Sequence, residues 1–208
     1  MWMHWRRRWL GRTFREGEFA PLFARPAGDE WVALDFETTS LDPALAEIVS
    51  IGAVRIRGNR IETGDALAIR VQAPASLNAG SVVIHGLRHQ DLQQGMALEP
   101  ALRALLEFIG PRELVGYHIA YDLRILNLAC QRLWGLTLPQ RGIEVSRLYH
   151  DHLYRRYPDA AIDLHLAAIC RHLALPALPP HDALSDAVTA ALVFVRLHQG
   201  GPLAYPKV

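Results

Sequence analysis

Four carboxylates and one histidine stand where the surrounding sequence is otherwise apolar. Asp35 and Glu37 close an apolar run in Leu34-Asp35-Phe36-Glu37, Asp122 follows Tyr121, and His181 and Asp186 bracket Asp182-Ala183-Leu184-Ser185. Along a strand, residues two apart lie on one face, so the Asp35 and Glu37 carboxylates point the same way. Two like charges side by side raise each other's pKa and cost stability unless a cation lies between them. Taken alone, the pair reads better as a frayed, solvated strand end, since such triplets occur by chance. Asp122, taken alone, reads as an N-cap or first-turn acid that complements a helix dipole. Asp182 reads as an ordinary acid at the start of a helix. Asp186 lies one turn deeper, in the apolar stretch that continues over 187–193, where a carboxylate is harder to accommodate. His181 precedes that helix on a loop, as many surface histidines do.

The elements that must position these groups follow from hydrophobic periodicity. Trp31-Val32-Ala33-Leu34 leads into Asp35, and a second apolar strand runs from Ile48 to Ile56 after a turn at Asp42-Pro43. Gly58-Asn59 is a tight-turn signal, and 66–71 is a further strand candidate, so the three strands read as an antiparallel meander. Leu98, Leu102, Leu105, Leu106 and Ile109 recur with helical spacing, and 113–117 is a short strand. Helices are expected at about 121–134, 163–173 and 183–198, with a stiff Pro176–Pro180 loop before the last. Strands followed by alternating helices and strands imply an α/β fold, a mixed sheet flanked by helices.

Strand-end D-x-E, a later helix-start Asp and a C-terminal H-x4-D, in that order, resemble the signature of the DEDDh exonucleases. The chain is similar to the family of the proofreading subunit of bacterial replicative DNA polymerase. Asp35-Phe36-Glu37-Thr38-Thr39-Ser40-Leu41-Asp42-Pro43 resembles that family's first motif, usually D-x-E-T-T-G-L-D-P. Glu47 to Val54 is like its second strand, and Ile84-His85-Gly86-Leu87 is similar to its connecting V-H-G-I motif. The similarity covers residues 30 to 198. Three positions depart from the pattern: Ser40 for glycine, Tyr117-His118 with Tyr121 for the usual H-N-x-x-F-D, and Glu144 for an aspartate.

The resemblance implies a ribonuclease H-like fold and 3′→5′ hydrolysis of a nucleic acid strand, with two Mg²⁺ or Mn²⁺ ions. Asp35 would bridge both ions, Glu37 and Asp186 would complete one site, and Asp122 would hold the other. His181 would take the proton of the attacking water, since histidine titrates near neutral pH. Recognition of a terminus needs contacts at the closed end of a cleft, for which Thr38 and its backbone are candidates. Leu41 and Tyr121 would either hold the last base or simply pack, and His85 would contact the same nucleotide. The expected partner is a single-stranded or frayed 3′ end, DNA over RNA, with a mononucleotide product. An exoribonuclease acting on short oligoribonucleotides, or a binding protein that retains the fold, are the competing readings.

Bulk properties bound these readings. A formal net charge of +1 over 208 residues neither demands nor forbids a polyanionic partner. The two cysteines, Cys130 and Cys170, lack metal-site spacing and suit a reducing compartment. No apolar run is long enough to span a bilayer, and the basic N-terminus lacks the apolar stretch of a signal peptide, so a cytoplasmic location is expected. Residues 1–29 form a basic segment with Trp2, Trp5 and Trp9 at helical spacing, suited either to packing on the domain or to contact with a protein, lipid or nucleic acid. An exonuclease domain is assigned to 30–200 and a short tail to 201–208. No clamp-binding motif is evident, which favours a stand-alone enzyme.

Overall fold

Strand β1 (Glu30–Thr38) organises the molecule through its alternation. In the computed structural model, which describes residues 14, 16–25 and 28–200, Val32, Leu34 and Phe36 face one apolar layer and Trp31 and Ala33 the other. The same alternation continues into Asp35 and Glu37, which therefore follow Ala33 toward the second layer. Trp2, Trp5 and Trp9 lie outside the described residues.

β1 pairs antiparallel with β2 (Ile48–Arg57), with Asp35 opposite Gly52. The expected meander is modified at this point. Both β3 (Arg60–Ile61) and β4 (Leu67–Arg70) pair with β2, sharing its far edge instead of extending the sheet in sequence. β2 is long enough to hold both, because the Gly58-Asn59 turn gives only a two-residue return strand. On the other side β5 (Glu113–Gly116) and then β6 (Gly142–Glu144) add in parallel, giving a six-stranded mixed sheet with β1 inside it.

Among the described residues, six helices cover the sheet. α1 (Ala79–His85) begins at Asn78, whose side chain accepts from the Ser81 amide, and ends at Gly86 with φ of 73°. α2 (Leu98–Ile109) and α3 (Ile119–Trp134) bury their apolar faces in the first layer. α4 (Val145–Tyr154), α5 (Leu166–His172) and α6 (Ala183–His198) form the second. α1 and α4 were not anticipated, although Val145, Tyr149 and Leu153 carry the i, i+4, i+8 spacing of a buried helical stripe.

The described part of the N-terminal segment packs against the first layer. Phe19 and Leu22 are buried, and Gln140 Nε2 donates to the carbonyls of Leu22 (2.9 Å) and Gly110 (2.8 Å). Arg103 bonds to Glu18 and lies 5.0 Å from the Trp134 ring centre. Among the described residues, no helix is long and apolar enough to cross a membrane.

Candidate active site

Two helices begin beside the C-terminal end of β1, one from each layer, and their first turns carry the remaining acids. α6 delivers Asp186 and α3 delivers Asp122. Carboxylate oxygens of Asp35, Glu37 and Asp186 all lie within 4.8 Å of one another. Asp122 is not in that trio, but its Oδ1 accepts from the Phe36 amide at 3.1 Å, between the two β1 acids. The five residues singled out by spacing therefore meet at one strand end.

The approach of α6 depends on Gly52. A Cβ there would lie 2.1 Å from the carbonyl carbon of Ala183, at the first residue of the helix. Glycine leaves room for backbone against backbone, and Gly52 sits across the ladder from Asp35. Sequence reading gave this glycine no role, and a glycine inside an apolar strand was the available signal.

Burial and crowding leave the acids poorly ionised. Burial raises Asp35 well above the ordinary carboxylate range, and Asp122, Asp186, Glu37 and Asp182 add to the rise. Burial, then Asp186 and Asp182, pushes Glu37 up to about 7. Asp122 rises to about 8, chiefly by burial, against the lowering effect of the Phe36 amide. Asp186 is raised by burial while the His181 amide works the other way. Asp182, read as a helix acid, does accept from the Ser185 amide at 3.0 Å, and it also raises Asp35, Glu37 and Asp186.

His181 stands on the loop before α6 with φ of 61°, in the left-handed region. Its backbone N–H donates to Asp186 Oδ2 at 2.9 Å, so the loop is tied to the acid it precedes while the imidazole is exposed. His85 is the reverse case. It is buried, its Nδ1 accepts from the Leu87 amide at 3.1 Å, and its Nε2 has no partner. Burial, then His181, lowers its pKa, so the ring is neutral with its proton on Nε2.

The strand-end loop is wired from two sides. The Tyr121 hydroxyl bonds to the Thr38 hydroxyl at 2.7 Å and to the Ser40 carbonyl. The Thr38 hydroxyl also lies 3.1 Å from the Ser40 carbonyl, so the two hydroxyl protons are shared among three contacts within the protein. Thr39 bonds to Ser76 (2.8 Å), and its carbonyl accepts from Asn78 (3.0 Å), which fixes the start of α1 and hence His85. Leu41, by contrast, is 85% exposed, so the packing alternative does not describe it. Glu144 joins two helix starts, accepting from the Ile119 amide (3.1 Å) and the Ser146 amide (3.2 Å).

Asp35, Glu37, Asp122, His181, Asp186, His85, Thr38, Leu41 and Tyr121 line one cavity of about 1090 Å³, which also reaches α5 and the segment 175–180.

A family model named RNase_T and described as Exonuclease matches residues 32–194. A PolC-type DNA polymerase III of Thermotoga maritima is 31% identical over 166 residues, 80% of this chain and 12% of that protein. The chain thus spans a small part of the PolC-type relative. The DNA polymerase III subunit epsilon of Aquifex aeolicus is 22% identical over 167 residues, 80% of this chain and 79% of that one. Among solved structures, the nuclease domain of 3′hExo, described as a DEDDh family member bound to rAMP, superposes with a TM-score of 0.68 at 19% identity, covering 85% of this chain and 94% of that one. A zinc-bound E. coli ExoI–ssDNA complex gives 0.69 at 15% identity, covering 82% and 41%. At these identities the structures establish a shared fold, the ribonuclease H-like exonuclease fold.

Proposed function

The chain belongs to the RNase_T exonuclease family, and on that premise we propose that it is a cation-dependent 3′→5′ exonuclease releasing nucleoside 5′-monophosphates from single-stranded or frayed DNA ends. The convergence of Asp35, Glu37 and Asp186 oxygens within 4.8 Å carries the reading. Like-charged groups held this close and pushed toward protonation fit a hard divalent cation, whose charge removes the penalty of ionising them. Asp35, Glu37 and Asp186 would hold one Mg²⁺ or Mn²⁺, and Asp122 with Asp35 a second. Bound there, the ions supply a water ionised near neutral pH and offset charge on the phosphate and leaving oxygen.

The chain's own groups do the rest. His181, exposed in its side chain and anchored in its backbone, takes the proton of the attacking water. The water oxygen bonds to the phosphorus of the last phosphodiester, and the bond to the 3′ oxygen of the preceding nucleotide breaks. His85 lines the cavity, and its unpartnered Nε2–H would donate to the terminal nucleotide. Leu41 offers an apolar surface to the last base and the Tyr121 ring a second, while the Thr38 backbone closes the end of the cleft. A ribonucleotide strand is the second reading, favoured by the rAMP in the 3′hExo structure. Two free thiols, Cys130 and Cys170, suit a reducing compartment, and we place the activity in the cytoplasm.

The test is degradation of 3′- and 5′-labelled single-stranded DNA and RNA with Mg²⁺, Mn²⁺ or EDTA. A cation-dependent ladder shortening from the 3′ end, lost in Asp35→Asn, is the expected result. Folded protein that cleaves neither polymer with cation present refutes the reading.

A further inference from the structure

A second cavity, of about 710 Å³, lies against β4 and shares no lining residue with the cavity of the acids among the described residues. It is lined by Ala68, Ile69 and Arg70 and by the segment that ends at Met96. The Val71 amide donates to the Val49 carbonyl of β2 at 2.9 Å, while the Arg70 carbonyl accepts from the Met96 amide at 2.8 Å. Successive strand residues turn their backbone groups to opposite sides, and in an antiparallel ladder each residue turns N–H and C=O the same way. Ala68 and Arg70 therefore point these groups away from β2, toward the side where Met96 stands. Gly95 closes on this edge because it lacks a Cβ, which would lie 2.6 Å from the Val71 carbonyl carbon. A turn from the Gly95 amide to the Leu92 carbonyl (2.9 Å) then carries the chain off. Among the described residues, the Ala68 N–H, the Ala68 C=O and the Arg70 N–H are left without a partner.

Along the edge these groups follow one another as donor, acceptor, donor. Adenine presents the complement: acceptor, donor, acceptor at N7, the N6 amino group and N1. Guanine carries O6 in place of the amino group, an acceptor that would face the Ala68 carbonyl. The side chains around the edge suit the rest of a nucleotide. Arg70 is exposed and makes no ion pair within 4 Å among the described residues. The Arg88 side chain and amide bond Asp91, at 3.0 and 2.9 Å, and hold its carboxyl below the ordinary range, with Arg70 adding a smaller share. The acid of this cavity is thus already paired, which leaves the Arg70 guanidinium for a phosphate. Gln93 and Gln94 bring exposed amides that suit sugar hydroxyls, and Met96, 42% exposed, offers a polarizable side chain to a ring face.

We propose that this cavity binds an adenine nucleotide, with the base on the Ala68–Arg70 edge and the phosphate on the Arg70 guanidinium. Its volume falls within the ~300–1000 Å³ range of small-molecule sites. The base is read by backbone groups, whose positions the β2–β4 ladder fixes, and the phosphate by a side chain. Base choice and phosphate affinity are therefore separable. The site needs no cation and none of the acids, so it stands apart from the exonuclease reading.

The test is a titration of the whole ¹⁵N-labelled chain, in EDTA, followed through its backbone amide signals. The probes are adenosine 5′-monophosphate and inosine 5′-monophosphate, in which a carbonyl replaces the amino group. The adenine nucleotide is expected to shift the Ala68, Arg70 and Met96 amides saturably and to bind about tenfold more tightly than the inosine nucleotide. Arg70→Ala should weaken the adenine nucleotide about tenfold and leave adenosine, which has no phosphate, within about twofold. Shifts confined to residues around the acids, such as Thr38, Ser40 and His181, place the nucleotide there and overturn the site. Equal affinity for the two nucleotides, or an unchanged affinity in Arg70→Ala, overturns it as well. So does the absence of saturable shifts up to about 10 mM nucleotide. None of these outcomes bears on the nuclease assay, which reads cation-dependent cleavage.

Discussion

The Phe36 amide donates to Asp122 Oδ1 across 3.1 Å, and this bond fastens the first turn of α3 to β1 between Asp35 and Glu37. A bulge between Glu37 and Thr38 marks where regular β1–β2 pairing ends. The acceptor is thus both a structural partner and an acid of the site, and the two roles can be separated. Asp122→Asn keeps an oxygen for Phe36 and should fold normally while losing about a hundredfold or more in turnover. Asp122→Ala leaves a buried amide unpaired and should cost about 1–3 kcal/mol as well. Urea denaturation beside the nuclease assay distinguishes them, and equal stability of the two variants would contradict the structural role.

Gly52 sets how close α6 comes to the sheet. Gly52→Ala would place a methyl carbon 2.1 Å from the Ala183 backbone, so the helix start must move and take Asp186 with it. Destabilisation of about 3 kcal/mol is expected, at the upper end of overpacking costs. Mn²⁺ binding measured by calorimetry should weaken at least about tenfold. Retained affinity would mean that Asp186 does not depend on this contact.

Without a cation, stability should fall as pH rises. Glu37 goes from an ordinary 4.5 to about 7, and Asp122 from 3.8 to about 8. Between the lower and upper values the folded protein binds more protons than the unfolded chain, so each unit of pH costs stability until both groups ionise. The melting temperature in EDTA should therefore decline between about pH 4.5 and pH 8, and excess Mg²⁺ should flatten the decline. A Tm that climbs across that window in EDTA would contradict the assignment.

His181 reaches Asp186 through its backbone, so removing its side chain should spare the acid. His181→Ala is expected to lose about 10²–10⁴ in kcat, the range for a general base, while Mn²⁺ affinity stays within about threefold. Loss of cation binding in this variant would show that the imidazole belongs to the cation site.

The Tyr121 hydroxyl holds the loop that carries Leu41, through Thr38 and Ser40. Tyr121→Phe should keep the ring but loosen the loop, raising KM a few-fold with kcat little changed. A kcat loss at constant KM would place the hydroxyl in the chemistry instead.

Much of this was legible in the residues themselves. Alternation alone puts Asp35 and Glu37 on one face, and the structure adds only that this face is the α6 side, where Ala33 is buried. Helices over 98–109 and 183–198 follow from periodicity, since a buried stripe repeats every three to four residues whatever it packs against. The capping of α1 was written in Asn78 and Gly86 but went unread, because seven residues give too little periodicity.

What the sequence determined was the family and the candidate acids: in which order they come, and on which types of element. What only the tertiary structure decided was proximity. Asp122 meets β1 because a strand amide needs an acceptor, Asp186 meets it because Gly52 has no side chain, and His85 keeps its proton on Nε2 because Leu87 takes Nδ1. Local periodicity is set by backbone geometry within a few residues, whereas these contacts join residues far apart in the chain and exist only once both layers have closed on the sheet.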